Sequence, residues 1–133
     1  MAGGLEAVRQ MMADDEASRA LGIELAELAE GRAVARMTVR ADMVNGHDIA
    51  HGGFLFSLAD TAFACACNSY GPATVASGAE ITFLRPAARG DELSAEAVMR
   101  ASYGRSGICD VTVRRGDTVV AEFRGRSRQL RTP

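Results

Sequence analysis

The sequence contains no lysine and no tryptophan, and it has only three prolines and three cysteines in 133 residues. The missing lysine excludes an enzyme that forms a lysine Schiff base, and it excludes a nucleotide-binding P-loop, because both need that side chain. The cysteines, Cys65, Cys67 and Cys109, are odd in number and form no close-spaced framework. We therefore expect reduced thiols and a cytoplasmic protein rather than a disulfide-stabilised secreted one.

A large net charge and long apolar runs are also missing. The net charge is only −2, so bulk electrostatics favour neither nucleic acid nor an anionic membrane as a partner. No stretch approaches the roughly 18 consecutive apolar residues that span a bilayer, and the N-terminus lacks the long apolar core of a signal peptide. What is abundant is small apolar side chains, since hydrophobic residues make up 47% and aromatic residues 5%. We expect a single domain over residues 1–133.

Hydrophobic periodicity predicts one long helix among several strands. Residues 1–22 form an N-terminal helical segment, in which 4–21 is one helix or two that break near Asp14. The other predicted elements are strands at 23–29 and 33–40, a helix at 52–69, and strands at 74–86, 91–103, 107–115 and 118–128. Because four strands follow a lone helix, the chain is not a doubly wound fold. We expect an α+β domain whose antiparallel sheet of five to six strands curves around the long helix.

The stretch HGGFLFSLAD (His51–Asp60) opens the long helix and places a carboxylate inside it. Asp60 is the only charged residue of a helix that is apolar nearly all round. An ionised carboxylate buried without partners is costly, so it either bonds a nearby hydroxyl or serves a functional site. Ser57 and Thr61 are the candidate hydroxyls, and the sequence leaves both interpretations open.

Two glycines, Gly52 and Gly53, begin this helix. Backbone N–H groups at a helix start lie at the positive end of the dipole, where they hold an anion or polarise a carbonyl oxygen. Alternatively, paired glycines simply allow a sharp entry into the helix. The sequence does not decide between these two uses.

The separation of Gly52 from Asp60 predicts a dimer. Eight residues of helix span about 12 Å, which is too far for both groups to act on one carbonyl within a single chain. Two such helices, side by side and antiparallel across a two-fold axis, would bring each N-terminus to the other helix's Asp60. The pairing would also cover the second apolar side of the helix, which carries Phe56, Ala64 and Cys67.

The string NGHDIAHGGFLFSLADTAFACACNSYG (Asn45–Gly71), followed by FLRP (Phe83–Pro86), resembles the phenylacetate-pathway thioesterases of the hotdog-fold superfamily. The resemblance covers almost the whole chain, and the motif N-x5-HGG-x3-SLAD is its specific part. It implies a single hotdog thioesterase domain with no cofactor beyond the coenzyme A of its substrate and no metal. It also implies a homodimer with composite sites that pairs further into a homotetramer.

The resemblance assigns roles to the residues of the motif. Asp60 attacks the thioester or activates water, and the N–H of Gly52, with Gly53 beside it, polarises the thioester carbonyl. Asn45 orients the water or the acyl group, and His51 positions the site. Because a thiolate with a pKa of about 8.5 leaves without a general acid, these few groups suffice for hydrolysis.

Substrate contacts are expected in two places. The phosphates of coenzyme A need arginines or free N–H groups near the surface. The candidates are Arg85, Arg89, Arg105 and the turn Gly104–Gly107, which includes Ser106 and Gly107. The acyl group is expected in an apolar pocket at the dimer interface, lined by Phe56, Ala64 and Asn68 on the Asp60 face of the helix. From the resemblance, the acyl group is phenylacetyl or ring-hydroxylated phenylacetyl, with short aliphatic groups as the alternative.

Other functions compete with hydrolysis. A metal site on His47 and His51 lacks the glutamate of an H-E-x-x-H pattern, and a nucleophilic Cys65 or Cys67 would lie deep in an apolar helix. A hotdog dehydratase or hydratase uses a histidine with an acidic partner, and no second acidic residue of that kind is evident here. A non-catalytic acyl-CoA-binding protein is the remaining alternative, and it would tolerate the loss of Asp60.

Overall fold

The structure is a computed structural model that describes residues 2–131. Within that range the helices are α1 (Ala2–Ala13), α2 (Glu16–Ala20) and α3 (Gly52–Asn68), with a 3-10 turn at Ala41–Met43. The strands are β1 (Glu24–Ala29), β2 (Arg32–Thr38), β3 (Thr74–Phe83), β4 (Glu92–Tyr103), β5 (Ser106–Arg115) and β6 (Thr118–Gln129). They form one antiparallel sheet in the order β1-β2-β4-β5-β6-β3, packed against α3. The predicted hotdog architecture is confirmed, with six strands.

The N-terminal segment is two helices rather than one. The break lies at Asp15, whose side chain accepts a hydrogen bond from the N–H of Ser18 and thereby caps α2. Gly22, at φ 72°, then turns the chain into β1. Because Val8 of α1 is fully buried, this segment packs onto the domain. No helix in the described part of the chain is long and apolar enough to cross a membrane.

Strand β3 ends at Phe83, three residues before the predicted end. The N–H groups of Leu84 and Arg85 both donate to the carbonyl of Val120, at 2.9 and 3.2 Å, so the regular ladder stops there. Pro86 has no N–H and cannot resume it. The FLRP segment is therefore the exit from the edge strand rather than part of it.

The core lies between α3 and the sheet, and it depends on small side chains. The sheet residues Ala33, Ala35, Ala95, Ala97 and Ala121 are fully buried. A Cβ at Gly125 would lie 2.8 Å from the ring of Phe63, so glycine is required where the helix ring meets the sheet. This close approach accounts for a composition rich in alanine and poor in aromatic residues.

Strand β3 runs beside α3 in the opposite direction. The amide of Asn68, at the end of the helix, bonds Thr74 at the start of the strand. The ring of Phe83, at the end of the strand, lies against Gly52 at the start of the helix. Because β3 pairs only with β6 and is an edge of the sheet, the length of α3 that carries the candidate residues lies next to an edge strand.

Candidate active site

The start of α3 is capped by the imidazole of His51. Its Nδ1 accepts a hydrogen bond from the N–H of Gly53 at 3.1 Å, so Nδ1 carries no proton. The N–H of Gly52 donates to no residue between 2 and 131. The two glycines therefore differ, since Gly53 has its N–H engaged in the cap whereas Gly52 offers its N–H at the positive end of the helix.

The ring of Phe83 covers Gly52. A Cβ added at Gly52 would lie 2.7 Å from Cζ of Phe83, which is closer than carbon atoms pack. Phe83 is 53% exposed, so its ring lies against Gly52 without being buried in the core. Phe83 thus belongs to this site, although the sequence analysis treated it only as part of the FLRP motif.

Asn45 organises the loop that leads into α3. Its Oδ1 accepts hydrogen bonds from the N–H groups of His47 at 2.9 Å and Ile49 at 3.4 Å, and its own N–H donates to the carbonyl of Ile49 at 2.8 Å. The amide oxygen therefore holds the loop together. The side-chain NH₂ has no acceptor in the described part of the chain, which leaves it available to a ligand.

The carboxylate of Asp60 is partly buried and has no partner. It makes neither a hydrogen bond nor an ion pair with any residue from 2 to 131. Burial raises the pKa of Asp60 above its ordinary value, and the negative charge of Asp15 raises it further. A carboxylate held in this way is more basic than a solvated one and keeps its oxygens free for a reactant.

The two hydroxyls that were candidates to satisfy Asp60 do not reach it. Ser57 Oγ donates to the carbonyl of Gly53 at 2.9 Å. Thr61 Oγ1 lies 2.9 Å from the carbonyl of Ser57 and 3.0 Å from Ser18 Oγ. The interpretation in which Asp60 is a locally hydrogen-bonded structural residue therefore does not hold for this chain.

One stripe of α3 is left partly exposed, and it contains Phe56, Ser57, Asp60, Ala64 and Asn68. Phe56 packs edge-on against Phe123, with ring centroids 5.3 Å apart, so its ring bridges the core and the open stripe. Cys67 was expected on the open side together with Phe56 and Ala64, but it is 5% exposed. The expectation for Cys67 was wrong because the fold covers more of the helix than one sheet face alone would.

Asn68 is committed to the fold. Its Nδ2 donates to the carbonyls of Ala64 and Thr74, each at 2.9 Å, and its Oδ1 accepts from the N–H of Thr74 at 2.9 Å. Both donor hydrogens are therefore used within the chain. As a candidate for substrate binding, Asn68 can contribute a wall of the stripe but no free donor.

The arginine candidates lie at two ends of the sheet. Arg85 follows β3 beside the start of α3, where its Nη1 donates to the carbonyl of Val119. Arg105 lies in the turn between β4 and β5, near the start of β3, because Ser106 pairs with Arg128, which pairs with Val75. Ten residues of strand separate these ends by about 33 Å, so one chain cannot direct both arginines at one nucleotide.

The remaining candidates for coenzyme A are partly engaged. Ser106 Oγ accepts a hydrogen bond from Arg128 at 3.2 Å, and Arg89 pairs with Asp48 at 3.4 Å. Gly107 was expected in an accessible turn, but it lies within β5 and is buried against Ser127 and Met99. Its expected role in holding a phosphate through a surface N–H is therefore wrong.

The thiols and the histidines do not form competing sites. Burial raises the pKa of Cys65, Cys67 and Cys109 to about 12 each, so these thiols stay protonated at neutral pH and are poor nucleophiles. His47 and His51 lie in a loop rather than on one face of a helix. Within residues 2–131, no group of three or more His, Cys, Asp or Glu side chains is arranged to hold a metal ion.

Two features of this site were not predicted from the sequence. One is the cover that Phe83 forms over Gly52. The other is a contact between the N-terminal helices and α3, in which Ser18 meets Thr61 next to Asp60. The N-cap pattern around Asp15 was visible in the sequence, but its position relative to α3 depends on tertiary structure.

Comparison with known proteins is consistent with this geometry. A model of the thioesterase superfamily matches residues 47–122. The chain is 50% identical over 121 residues to acyl-coenzyme A thioesterase PaaI of Escherichia coli, a match that covers 90% of this chain and 86% of that protein.

Two solved structures are similar over their full architecture. The E. coli PaaI protein from the phenylacetic acid degradation operon superposes with a TM-score of 0.94 at 45% identity, covering 97% of this chain and 94% of that one. A variant of the phenylacetic acid degradation protein PaaI from Thermus thermophilus superposes with a TM-score of 0.84 at 40% identity, covering 87% of this chain and 100% of that one.

Proposed function

The chain belongs to the thioesterase superfamily, and from that premise we propose that it hydrolyses acyl-CoA thioesters to the free acid and coenzyme A, with Asp60 as the reactive carboxylate. The observation that carries the role of Asp60 is its environment. The carboxylate is partly buried, has no partner among residues 2–131, and has a raised pKa. A purely structural carboxylate in a helix would be expected to have its hydrogen bonds satisfied.

In the reaction, the oxygen of the thioester carbonyl accepts a hydrogen bond from the N–H of Gly52. Attack on the carbonyl carbon moves negative charge onto that oxygen, where the helix N-terminus stabilises it. The attacking group is either the Asp60 carboxylate, which gives an anhydride that water then opens, or a water whose proton passes to Asp60. In both routes the C–S bond breaks and the electron pair leaves with sulfur as the thiolate of coenzyme A.

Two residues support this centre. His51 keeps the first turn of α3 in place by accepting the N–H of Gly53, which leaves the N–H of Gly52 for the substrate. The free NH₂ of Asn45 is suited to orient the attacking water or the acyl oxygen. No further cofactor is required, because coenzyme A is itself part of the substrate.

We propose a homodimer with two composite sites, each formed by Gly52 of one chain and Asp60 of its partner. The two residues lie eight positions apart in one continuous helix, which is about 12 Å, so a single chain does not bring them to one carbonyl. The partly exposed stripe of α3 and the unpaired edge of β3 lie side by side. A second copy that covers both would complete the site.

The two edges of the sheet differ in a way that favours this dimer. Edge strand β1 carries Glu24 and Glu27, and charged edge residues discourage pairing with another chain. Edge strand β3 is longer, its one glutamate, Glu80, pairs with Arg126 of the neighbouring strand, and it exposes Val75 and Phe83, which a partner would bury. Two such dimers would form the homotetramer that the resemblance implies, in the cytoplasm, where buried free cysteines persist.

The dimer also accounts for the arginines. Arg85 lies at the Gly52 end of one chain, whereas Arg105 lies at the opposite end of the sheet. Antiparallel pairing of the two helices would bring the Arg105 end of one chain toward the Gly52 end of the other. Both arginines are then available to the phosphates of one coenzyme A, although they belong to different subunits.

For the acyl group we propose phenylacetyl or ring-hydroxylated phenylacetyl. The similar E. coli and T. thermophilus proteins are named for phenylacetic acid degradation. In this chain the apolar lining next to Asp60 consists of the half-exposed Phe56 and Ala64, which leave space for an aryl ring between them and the partner. An aromatic ring packs favourably edge-on against Phe56.

The test is steady-state release of thiol from phenylacetyl-CoA by the native protein, Asp60→Asn and Asp42→Asn. Asn keeps the shape of Asp60 and removes its charge, and Asp42 is an exposed carboxylate paired with Arg40. We expect Asp60→Asn to lose a factor of about 100 or more in kcat, and Asp42→Asn to retain native activity. Equal slow rates for the native protein and Asp60→Asn would contradict hydrolysis and would favour acyl-CoA binding without chemistry.

A further inference from the structure

A buried polar contact joins the N-terminal helices to the catalytic helix. Ser18 Oγ and Thr61 Oγ1 lie 3.0 Å apart, and their residues are only 4% and 9% exposed. On the other side of Ser18, the carboxylate of Asp15 accepts both the N–H at 2.9 Å and the O–H at 2.6 Å. Asp15, Ser18 and Thr61 therefore form a continuous series of close polar contacts that ends one residue from Asp60.

The number of hydroxyl protons limits how these contacts are hydrogen-bonded. Three contacts need a hydrogen: Asp15 to Ser18, Ser18 to Thr61, and Thr61 to the carbonyl of Ser57 at 2.9 Å. The two hydroxyls supply only two hydrogens. The ionised carboxylate makes the strongest of the three bonds, so it takes the proton of Ser18. The single proton of Thr61 then goes either to Ser18 or to the carbonyl of Ser57, and both acceptors lie within 3.0 Å of its Oγ1.

The charge of Asp15 reaches the helix that it holds. After burial, that charge is the second cause that raises the pKa of Asp60, and it also raises the pKa of Cys65, one turn beyond Thr61. Asp60 also interacts with the thiol of Cys67, which is neutral because its pKa is about 12. Within residues 2–131, no arginine or histidine pairs with Asp60 or Asp15 to offset this repulsion.

We propose that Asp15 is a positioning residue of the thioesterase reaction, which fixes the turn of α3 carrying Asp60 through Ser18 and Thr61 and places a second negative charge behind that carboxylate. The inference rests on the proposed role of Asp60 as the reactive group. A neighbouring negative charge disfavours the ionised form of Asp60, and a carboxylate that holds a proton more tightly is a stronger base toward water. Capping of α2 alone would not need this charge, since serine and asparagine cap helices equally well.

The experiment is the pH dependence of kcat/KM for phenylacetyl-CoA in the native enzyme, Asp15→Asn and the control Glu16→Gln. Asn keeps an oxygen that can accept the N–H of Ser18 and removes the charge, while Glu16 is an exposed neighbour paired with Arg19. With less repulsion, Asp60 loses its proton more readily, so the acidic limb of the Asp15→Asn profile shifts to lower pH. Because its base is weaker, the plateau falls by about threefold or more. Glu16→Gln keeps both the limb and the plateau.

A second variant, Asp15→Ser, keeps the proposal testable if Asp15→Asn folds poorly, because serine is also a good N-cap without charge. It is expected to shift the acidic limb in the same direction. A loss of activity or of thermal stability in both variants with an unmoved limb would overturn the proposal and leave Asp15 as a cap only. A native profile without any acidic limb would overturn it together with the role of Asp60. A native limb that stays in place in both Asp15 variants overturns this inference alone.

Discussion

Mixing two inactive variants tests whether each active site is built from two chains. Asp60→Asn removes the carboxylate that we propose to react and keeps Gly52. Gly52→Pro removes the N–H at the first helical position, where the backbone of a helix accepts proline. Its Cβ also displaces the ring of Phe83, but that ring lies at the Gly52 end of the same chain, which the substitution already disables. In a mixed dimer, one site combines Gly52 of the first chain with Asp60 of the second and is intact, whereas the other site carries both defects.

The expected magnitude follows from the composite geometry. Random association of equal amounts of the two chains gives one half mixed dimers, and each mixed dimer has one intact site of two, so we expect about a quarter of native activity. The chains are co-refolded or co-expressed, and thiol release is measured for the mixture and for each parent alone. Native mass spectrometry of the mixture confirms that mixed dimers have formed.

Activity no higher than the average of the parents, in a mixture that contains mixed dimers, would refute the reasoning. It would mean that Gly52 and Asp60 serve the same chain's site, or that they do not serve one reaction at all. A site built from Gly52 and Asp60 of the same chain would contradict their separation of about 12 Å along the helix. A lack of complementation would therefore indicate that another group near Asp60 donates the hydrogen bond to the carbonyl oxygen.

Three further outcomes are expected. Because the pKa of Asp60 is raised in the folded protein, its contribution to stability is complete below the ordinary pKa of a carboxyl and is lost as pH rises through the raised value. Asp60→Asn should therefore melt about 2–4 °C higher at neutral pH, since its free energy of unfolding rises by about 1 kcal/mol for a partly exposed group. It should show no gain in acid, and an unchanged Tm at both pH values would contradict this. Gly52→Ala should lower kcat/KM about tenfold or more because its Cβ displaces Phe83, and adding Phe83→Ala should restore part of the loss; additive losses would show that the ring is not the obstacle. The three buried thiols, each with a pKa of about 12, should not react with a thiol reagent at pH 8 until the protein unfolds, and fast labelling of the native enzyme would refute this.

The fold could be predicted because its determinants are local and periodic. The change from helical to alternating periodicity at Ile23 marks the start of the sheet, and the apolar run after Gly53 marks α3. The end of β3 was misjudged because FLRP still looks extended. Its departure depends on two N–H groups that share the carbonyl of Val120, a partner 35 residues away from Arg85.

The candidate site could be predicted only in part, for a related reason. Asp60 is conspicuous as a single charge in an apolar helix, whatever surrounds it. That neither Ser57 nor Thr61 forms a hydrogen bond with Asp60 depends on the other contacts of those hydroxyls. Thr61 Oγ1, for example, lies against Ser18, which is 43 positions earlier in the chain. Gly107 looked like a surface glycine because a turn precedes it, whereas the register of β5 buries it. Such contacts between distant segments leave no pattern in a single sequence.

The packing around Gly52 and Gly53 changes what the residue type at these two positions implies. A Cβ at Gly52 would meet the ring of Phe83 at 2.7 Å, and one at Gly53 would approach Nδ1 of His51 at 3.3 Å. Packing alone therefore explains glycine at position 52 and favours it at position 53, so the residue type is no longer an argument for catalysis. What separates the positions is the N–H: His51 accepts that of Gly53 and leaves that of Gly52 without a partner among residues 2–131. The cap thus satisfies the N–H of Gly53 and leaves that of Gly52 free, eight residues before the carboxylate of Asp60, which also has no partner among residues 2–131. Hydrolysis across two chains requires this arrangement.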